Sequence, residues 1–439
     1  MKHFWAVLVI IALVLTACNG AKPASAPTAV PELITLRFGI IPPFLAAFSV
    51  PPELEQAITL FEQENPSITV EVVPIPIGNS AAVRLDELEA LQLDAFLTLA
   101  DPALVDRGTP LALGLDNYVS TTPGFSEQDF EPYLLNAFRW QGKLYAIPAD
   151  LAVVLVYYNR DMFDAEGVAY PSPDWDIQDF LSIAQQMTTI QEGDEENGHW
   201  GFISNAWSAE YLIFAMQHGG TIFNDLHAPT GFVFDDPLAI EALQFYADLG
   251  LVYKVQPVQP VDKPVEKVFY TAADAFAGKR AAMVLGTAGG GTGPDQIKWN
   301  FNWGVVPFPG YPNSSNKPPI VWLVTNGLFV GAQTTHPDAA WALVRSLSEN
   351  EAGITMLIPA RRSVAESEAT RQRIGAELLD ASLRSLNGEV FTGAYDQRIL
   401  APFIGVMGEA FQVLDGSMTA EELMAQWQTE FANWSPSNP

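Results

Sequence analysis

Residues 34–99 alternate between two apolar periods, and this limits the fold more than any other feature of the chain. Ile34-Thr35-Leu36-Arg37-Phe38-Gly39-Ile40 alternates with period two, as a strand does. Leu54, Ala57, Ile58 and Phe61 then share one face of a helix, and Pro66 stops it. Residues 68–73 return to a strand pattern and complete a β-α-β unit. Leu85, Leu88 and Leu91 predict another helix, and residues 94–99 another strand. Alternation of this kind predicts an α/β fold with a parallel sheet flanked by helices. Residues 151–158 form a near-continuous apolar run, the pattern of a buried strand.

Helical signals dominate the rest. Asp176 is placed as an N-cap before Phe180, Leu181, Ile183 and Ala184. Asp236-Pro237 combines a cap with a proline at the first helical position. Thr419 and Glu422 have the spacing of a capping box. The proline-rich stretch 310–319 predicts an irregular crossing. At 439 residues, two domains or lobes are expected, and the second region is too helix-rich to copy the first.

Charge and cysteine content remove several functions. The net charge of −29 disfavours a nucleic-acid partner, because a polyanion needs a basic face. The single cysteine, Cys18, excludes disulfide frameworks and cysteine zinc sites. Five histidines without a His-x-x-x-His pair point away from a zinc hydrolase, so no metal or cofactor is expected. The glycine run 286–291 lacks the Gly-Lys-Ser/Thr of a P-loop and reads as a loop. The acidic runs 192–196 and 366–368 read as solvated faces.

The first residues carry an export signal. Lys2 and His3 precede an apolar run over 4–15, too short for the roughly 20 residues of a membrane span. Leu15-Thr16-Ala17-Cys18 resembles a bacterial lipobox, which predicts a signal peptide over 1–17 and lipidation of Cys18. Two acyl chains are what stable anchoring requires. An ordinary signal peptide with an incidental cysteine is the alternative. Residues 18–32 are rich in Ala, Pro, Ser and Thr and predict a flexible tether.

Several short segments together are similar to one family. Gln141-Gly142-Lys143-Leu144-Tyr145-Ala146-Ile147-Pro148 and Tyr157-Tyr158-Asn159-Arg160-Asp161-Met162-Phe163 resemble the "GKxYxxP…YYNKDLF" signature of family 1 extracellular solute-binding proteins. Phe61-Glu62-Gln63-Glu64-Asn65-Pro66, Gly219-Gly220, Phe276-Ala277-Gly278-Lys279-Arg280-Ala281-Ala282-Met283, Val305-Val306-Pro307-Phe308-Pro309-Gly310, His336-Pro337-Asp338-Ala339-Ala340-Trp341 and Ala360-Arg361-Arg362-Ser363 follow in the family's order. The resemblance implies a two-lobe periplasmic-binding-protein-like fold of class II type, with ligand closed between lobes joined by hinge segments. Lobe one is expected at 33–149 and 317–350, and lobe two at 150–309 and 351–439, with crossings at 147–150 and 310–319.

Six residues are candidates for ligand contact. Asp101 follows a strand, and residues at the carboxyl ends of parallel strands face the crevice. The resemblance implies an aspartate there that holds sugar hydroxyls in the maltose-binding members. A helix cap is the plainer role. Asp150 sits at the first expected hinge, where a structural ion pair is the alternative. The family places ligand contacts near Trp207 and Glu210, ahead of Gly219-Gly220. It places a stacking aromatic where Phe403 falls, and Trp322 lies on the return to lobe one. Core packing is the alternative for the three aromatics. The tryptophan that the family carries after a segment like Ala282-Met283 is absent here, and the loop 41–48 is unusually apolar.

The resemblance implies a monomeric, lipid-anchored extracytoplasmic subunit that binds a small polar solute, foremost a carbohydrate, and hands it to ABC permease subunits without chemistry. A non-sugar solute (glycerol phosphate, a polyamine or a peptide) and a ligand-sensing role beside a membrane kinase are the alternatives. A glycoside hydrolase would need two carboxylates about 5–10 Å apart.

Overall fold

The computed structural model describes residues 33–41, 50–76, 83–191, 198–204, 210–226, 229–258, 271–288, 299–311, 320–349, 358–386, 389–391, 406, 408–432 and 434. The expected signal peptide, Cys18, the tether, Trp207, Phe403, the acidic run 192–196 and most of the crossing 310–319 lie outside these residues.

Strands β1 (Ile34–Ile40), β2 (Ile68–Pro74) and β3 (Ala95–Leu99) begin the fold. The first strand lies between the other two and is parallel to both. Helix Pro52–Glu64 joins the first pair and buries Leu54, Ala57, Ile58 and Phe61, the stripe seen in the sequence. Its proline at the start leaves no N–H unmet, since the first helical N–H groups have no partner in any case. A hairpin of β4 (Arg139–Trp140) and β5 (Lys143–Leu144) follows. Then come β6 (Ala146–Asn159), β7 (Trp200–Ile203), β8 (Ala281–Thr287), β9 (Trp303–Pro307), β10 (Ile320–Val330), β11 (Ile358–Pro359) and β12 (Glu389–Phe391).

One sheet runs in the order β2-β1-β3-β10-β6-β8-β7, with β9 and β11 added on β6 and β12 on β10. The sequence predicts parallel pairing. That holds for β2-β1-β3 and for β7 with β8, but β10 is antiparallel to β3 and β6, and β6 is antiparallel to β8 and β9. The physical reason is traffic. The chain passes from the first part of the sheet to the second along β6 and comes back along β10, and two passes in opposite directions pair antiparallel.

β6 is buried along all 14 residues. Up to Val153 it pairs with β10, and from Val154 it pairs with β8 and β9. Its side chains alternate between two hydrophobic cores. Ala149, Leu151, Val153, Leu155 and Tyr157 join the core built around β1, β3 and helix Pro337–Ser348. Val154, Val156 and Tyr158 join the core of helices Ile177–Gln186, Glu210–Gln217, Pro237–Leu251 and Ala420–Glu430. Three of those helices start where the sequence places them. Asp176 accepts from the N–H of Gln178 and Asp179, Asp236 from Leu238, and Thr419 forms the capping box with Glu422.

Candidate functional site

The carboxyl end of β3 delivers Asp101. Its Oδ1 accepts the Ala103 N–H at 2.8 Å and caps the short turn Pro102–Leu104. The plainer role weighed for this residue is therefore present. Asp101 also lines a shallow recess of about 30 Å³ together with Phe138, Arg139, Trp140, Tyr145 and Phe329. The β4–β5 hairpin brings the aromatic wall. Its two loop residues, Gln141 and Gly142, have φ of 49° and 79°, the left-handed pair that suits the twist of a two-residue hairpin. Tyr145 N–H then donates to the Phe138 carbonyl at 3.0 Å and holds the strand end against the preceding helix. Phe329 forms the floor, stacked on Phe96 at 4.9 Å and met edge-on by Phe138 at 5.8 Å. Arg139 is held at the rim by Glu127 at 2.6 Å and by Asp116 at 3.6 Å.

Asp150 lies where β6 and β10 cross and has no exposed surface. Its Oδ1 accepts from Asn326 Nδ2 at 3.0 Å, and its carbonyl accepts from Thr325 Oγ1 at 2.9 Å. The register slips at this point: Asn326 faces Asp150 while Gly327 faces Pro148. Proline has no N–H to give the ladder, so a bulge here is the expected response. The Ala149 carbonyl turns to the other side and accepts the Ala360 N–H at 3.1 Å, next to β11. Arg373 stands close by. Burial holds its guanidinium below the usual arginine range, while the Glu53 and Asp150 carboxylates pull it back up.

Glu210 opens the helix Glu210–Gln217 and is buried. A carboxylate in the first turn suits the positive end of a helix. It faces a buried polar group just beyond β7. Tyr246 Oη lies 2.7 Å from Ser204 Oγ, which donates to Gln256 Oε1 at 3.2 Å. Burial pushes the Tyr246 phenol well above its ordinary value, the Glu210 charge adds to this, and the Ser204 hydrogen bond opposes it.

β10 connects the three carboxylates. It neighbours β3, which ends two residues before Asp101, pairs with Asp150 on β6, and packs against the helix that begins at Glu210. Trp322 belongs to β10, and its side chain lies outside the described residues, as do Trp207 and Phe403. Sequence reasoning missed Trp140, Tyr145, Asn326 and Arg373. Only the first two had a local signal, since Trp140 directly precedes the Gln141-Gly142 turn and Tyr145 follows three residues after it.

A sheet whose shared strands run between two hydrophobic cores is the architecture of two-lobe α/β proteins. A family model described as bacterial extracellular solute-binding protein matches residues 56–374, and the chain belongs to that family. A binding protein of Brucella abortus is 23% identical over 316 residues, covering 68% of this chain and 69% of its own length. The maltodextrin-binding protein MdxE of Bacillus subtilis is 22% identical over 299 residues, covering 65% of this chain and 64% of that protein. Among solved structures, an ABC substrate-binding protein of Listeria monocytogenes in complex with cycloalternan matches with a TM-score of 0.68 and 20% identity, over 91% of this chain and 98% of its own. The two-lobe fold that the sequence predicts is thereby shown, and the family's name places the protein outside the cytoplasm.

Proposed function

We propose that the protein captures a carbohydrate outside the cytoplasm and delivers it to the permease subunits of an ABC importer, without covalent chemistry. The observation that carries the sugar assignment is the end of β3, where the Asp101 carboxylate lines the same shallow recess as Trp140 and Tyr145. A carboxylate forms short, charge-assisted bonds to sugar hydroxyls. An aromatic ring offers an apolar face to the C–H side of a pyranose. The maltodextrin and cycloalternan carried by relatives support the same ligand class.

In this reading the lobes are 33–149 with 317–350 and 150–309 with 351–439. The hinge lies at the crossing of β6 and β10, with Asp150 and Asn326 as its polar centre. Asp101 and Glu210 approach the ligand from the two lobes, and Trp207, Phe403 and Trp322 are further contacts. Cys18 carries the lipid that tethers the monomer to the membrane.

A thermal-shift screen with maltotriose, cyclic glucans, arabino-oligosaccharides, glycerol 3-phosphate, spermidine and a tetrapeptide tests the ligand class. A true ligand at 100 times its dissociation constant adds about 2.7 kcal/mol to the native state. Stabilisation by an oligosaccharide is the expected result. A shift produced by spermidine, glycerol 3-phosphate or the peptide alone would reassign the ligand.

A further inference from the structure

A larger recess, about 270 Å³, is lined by none of Asp101, Asp150 and Glu210. Its base is Leu151, on the side of β6 opposite Asp150, since successive strand residues face opposite ways. Leu134 comes from helix Pro132–Ala137, Ile358 from β11, and Leu383 and Leu386 from the end of helix Ala376–Arg384 and just beyond it. The lining side chains are mostly aliphatic, polar atoms make up almost half of the exposed wall, and the volume lies near the lower end of small-molecule sites, about 300–1,000 Å³, so a compact molecule fits.

Two polar features restrict what fits. Tyr133 lines the recess, and its hydroxyl is shielded from water with no hydrogen-bond partner among the described residues. Burial, and then the Glu131 charge, push this phenol above its ordinary value against the opposing pull of Arg362, so it keeps its proton and remains a donor. A shielded donor without an acceptor is costly, and a ligand atom that accepts removes the cost. At the rim, Arg362 is bound to Glu131 at 2.7 Å, while Glu366 has no cationic partner among the described residues. The remaining rim charge is negative and repels anions.

We propose that this recess is a second small-molecule site, which takes an apolar molecule carrying a hydrogen-bond acceptor and no negative charge. A compact aliphatic alcohol meets that description, and a carboxylate of the same shape does not. Calorimetric titration of the purified protein with 1-adamantanol and with adamantane-1-carboxylate separates the two chemistries. The alcohol is expected to bind, and the carboxylate to bind at least about tenfold more weakly. Tyr133→Phe is expected to weaken the alcohol by about three- to tenfold, the worth of one neutral hydrogen bond. A diazirine derivative of the alcohol, irradiated on the wild-type protein, should label peptides that contain Tyr133, Leu383 or Leu386. This readout does not depend on the folding of a variant. Absence of binding at millimolar alcohol, labelling confined to other peptides, equal affinity for the carboxylate, or wild-type affinity in a folded Tyr133→Phe protein would each overturn the proposal.

Discussion

Asp101 combines a structural task with the proposed binding task on one side chain. Its Oδ1 caps the turn after β3, and its place on the recess puts its charge beside Trp140 and Tyr145. Asparagine keeps an oxygen for the cap but removes the charge. Asp101→Asn should therefore weaken oligosaccharide binding roughly ten- to hundredfold, the range for a lost charged hydrogen bond, and leave the melting temperature of the free protein almost unchanged. Calorimetry decides this. Wild-type affinity would confine the residue to its cap, and early melting would make it a structural group. Gly327 gives a second residue-scale prediction. A Cβ there would come within 2.3 Å of the Phe138 ring, the same ring that lines the recess. Gly327→Ala should cost about 1–3 kcal/mol through overpacking, read as a lower denaturation midpoint with unchanged slope. Of these residues, only Asp101 could be placed from sequence, because a strand end is a local feature. Trp140 and Tyr145 reach it by docking of a hairpin, and Phe329 arrives from a strand far along the chain, which no local pattern encodes.

Elements whose limits depend on a few neighbouring residues were legible. The caps at Asp176, Asp236 and Thr419 lie where the sequence places them, because a cap needs only a side-chain oxygen two or three residues ahead of a waiting N–H. The direction of β6 and β10 was not legible. An apolar run identifies a buried strand but carries no mark of its partner or orientation. The last helix offers a test. Thr419→Ala should cost about 1 kcal/mol of stability, measured by urea denaturation. Its box partner adds a pH dependence. Hydrogen bonds from the Thr419 backbone and hydroxyl hold the Glu422 carboxyl below its ordinary value. A lowered folded value means that the stabilisation is complete above the unfolded value, about pH 4.3, and is lost as the pH falls through the folded one. Glu422→Gln should then fall below wild type at neutral pH and converge with it in acid. Parallel denaturation curves at both pH values would remove Glu422 from the cap.

At the scale of the molecule, the proposed hinge at the crossing of β6 and β10 predicts compaction on binding. Small-angle scattering at saturating oligosaccharide should give a smaller radius of gyration than the free protein, and an unchanged profile would mean a rigid or already closed molecule. Membrane attachment is tested separately. Wild-type protein expressed in a bacterial host should fractionate with membranes and carry the mass of a lipid, and Cys18→Ala should do neither. A soluble wild-type chain without added mass would end the lipoprotein reading. The two-lobe plan was legible because many weak motifs stand in order along the chain, whereas the sharing of one strand by two cores depends on the fold as a whole. That sharing governs which changes of length the chain can absorb. Odd-numbered residues of β6 from Ala149 to Tyr157 supply one core, and Val154, Val156 and Tyr158 supply the other. Inserting a single residue after Ala152 would turn every later side chain of the strand to the wrong face. Tyr157 and Tyr158 would exchange environments, and with them Arg160, whose guanidinium bonds the Trp303 carbonyl and Glu377. The loops can gain or lose residues in any number, but β6 has a parity, and only changes by two preserve it.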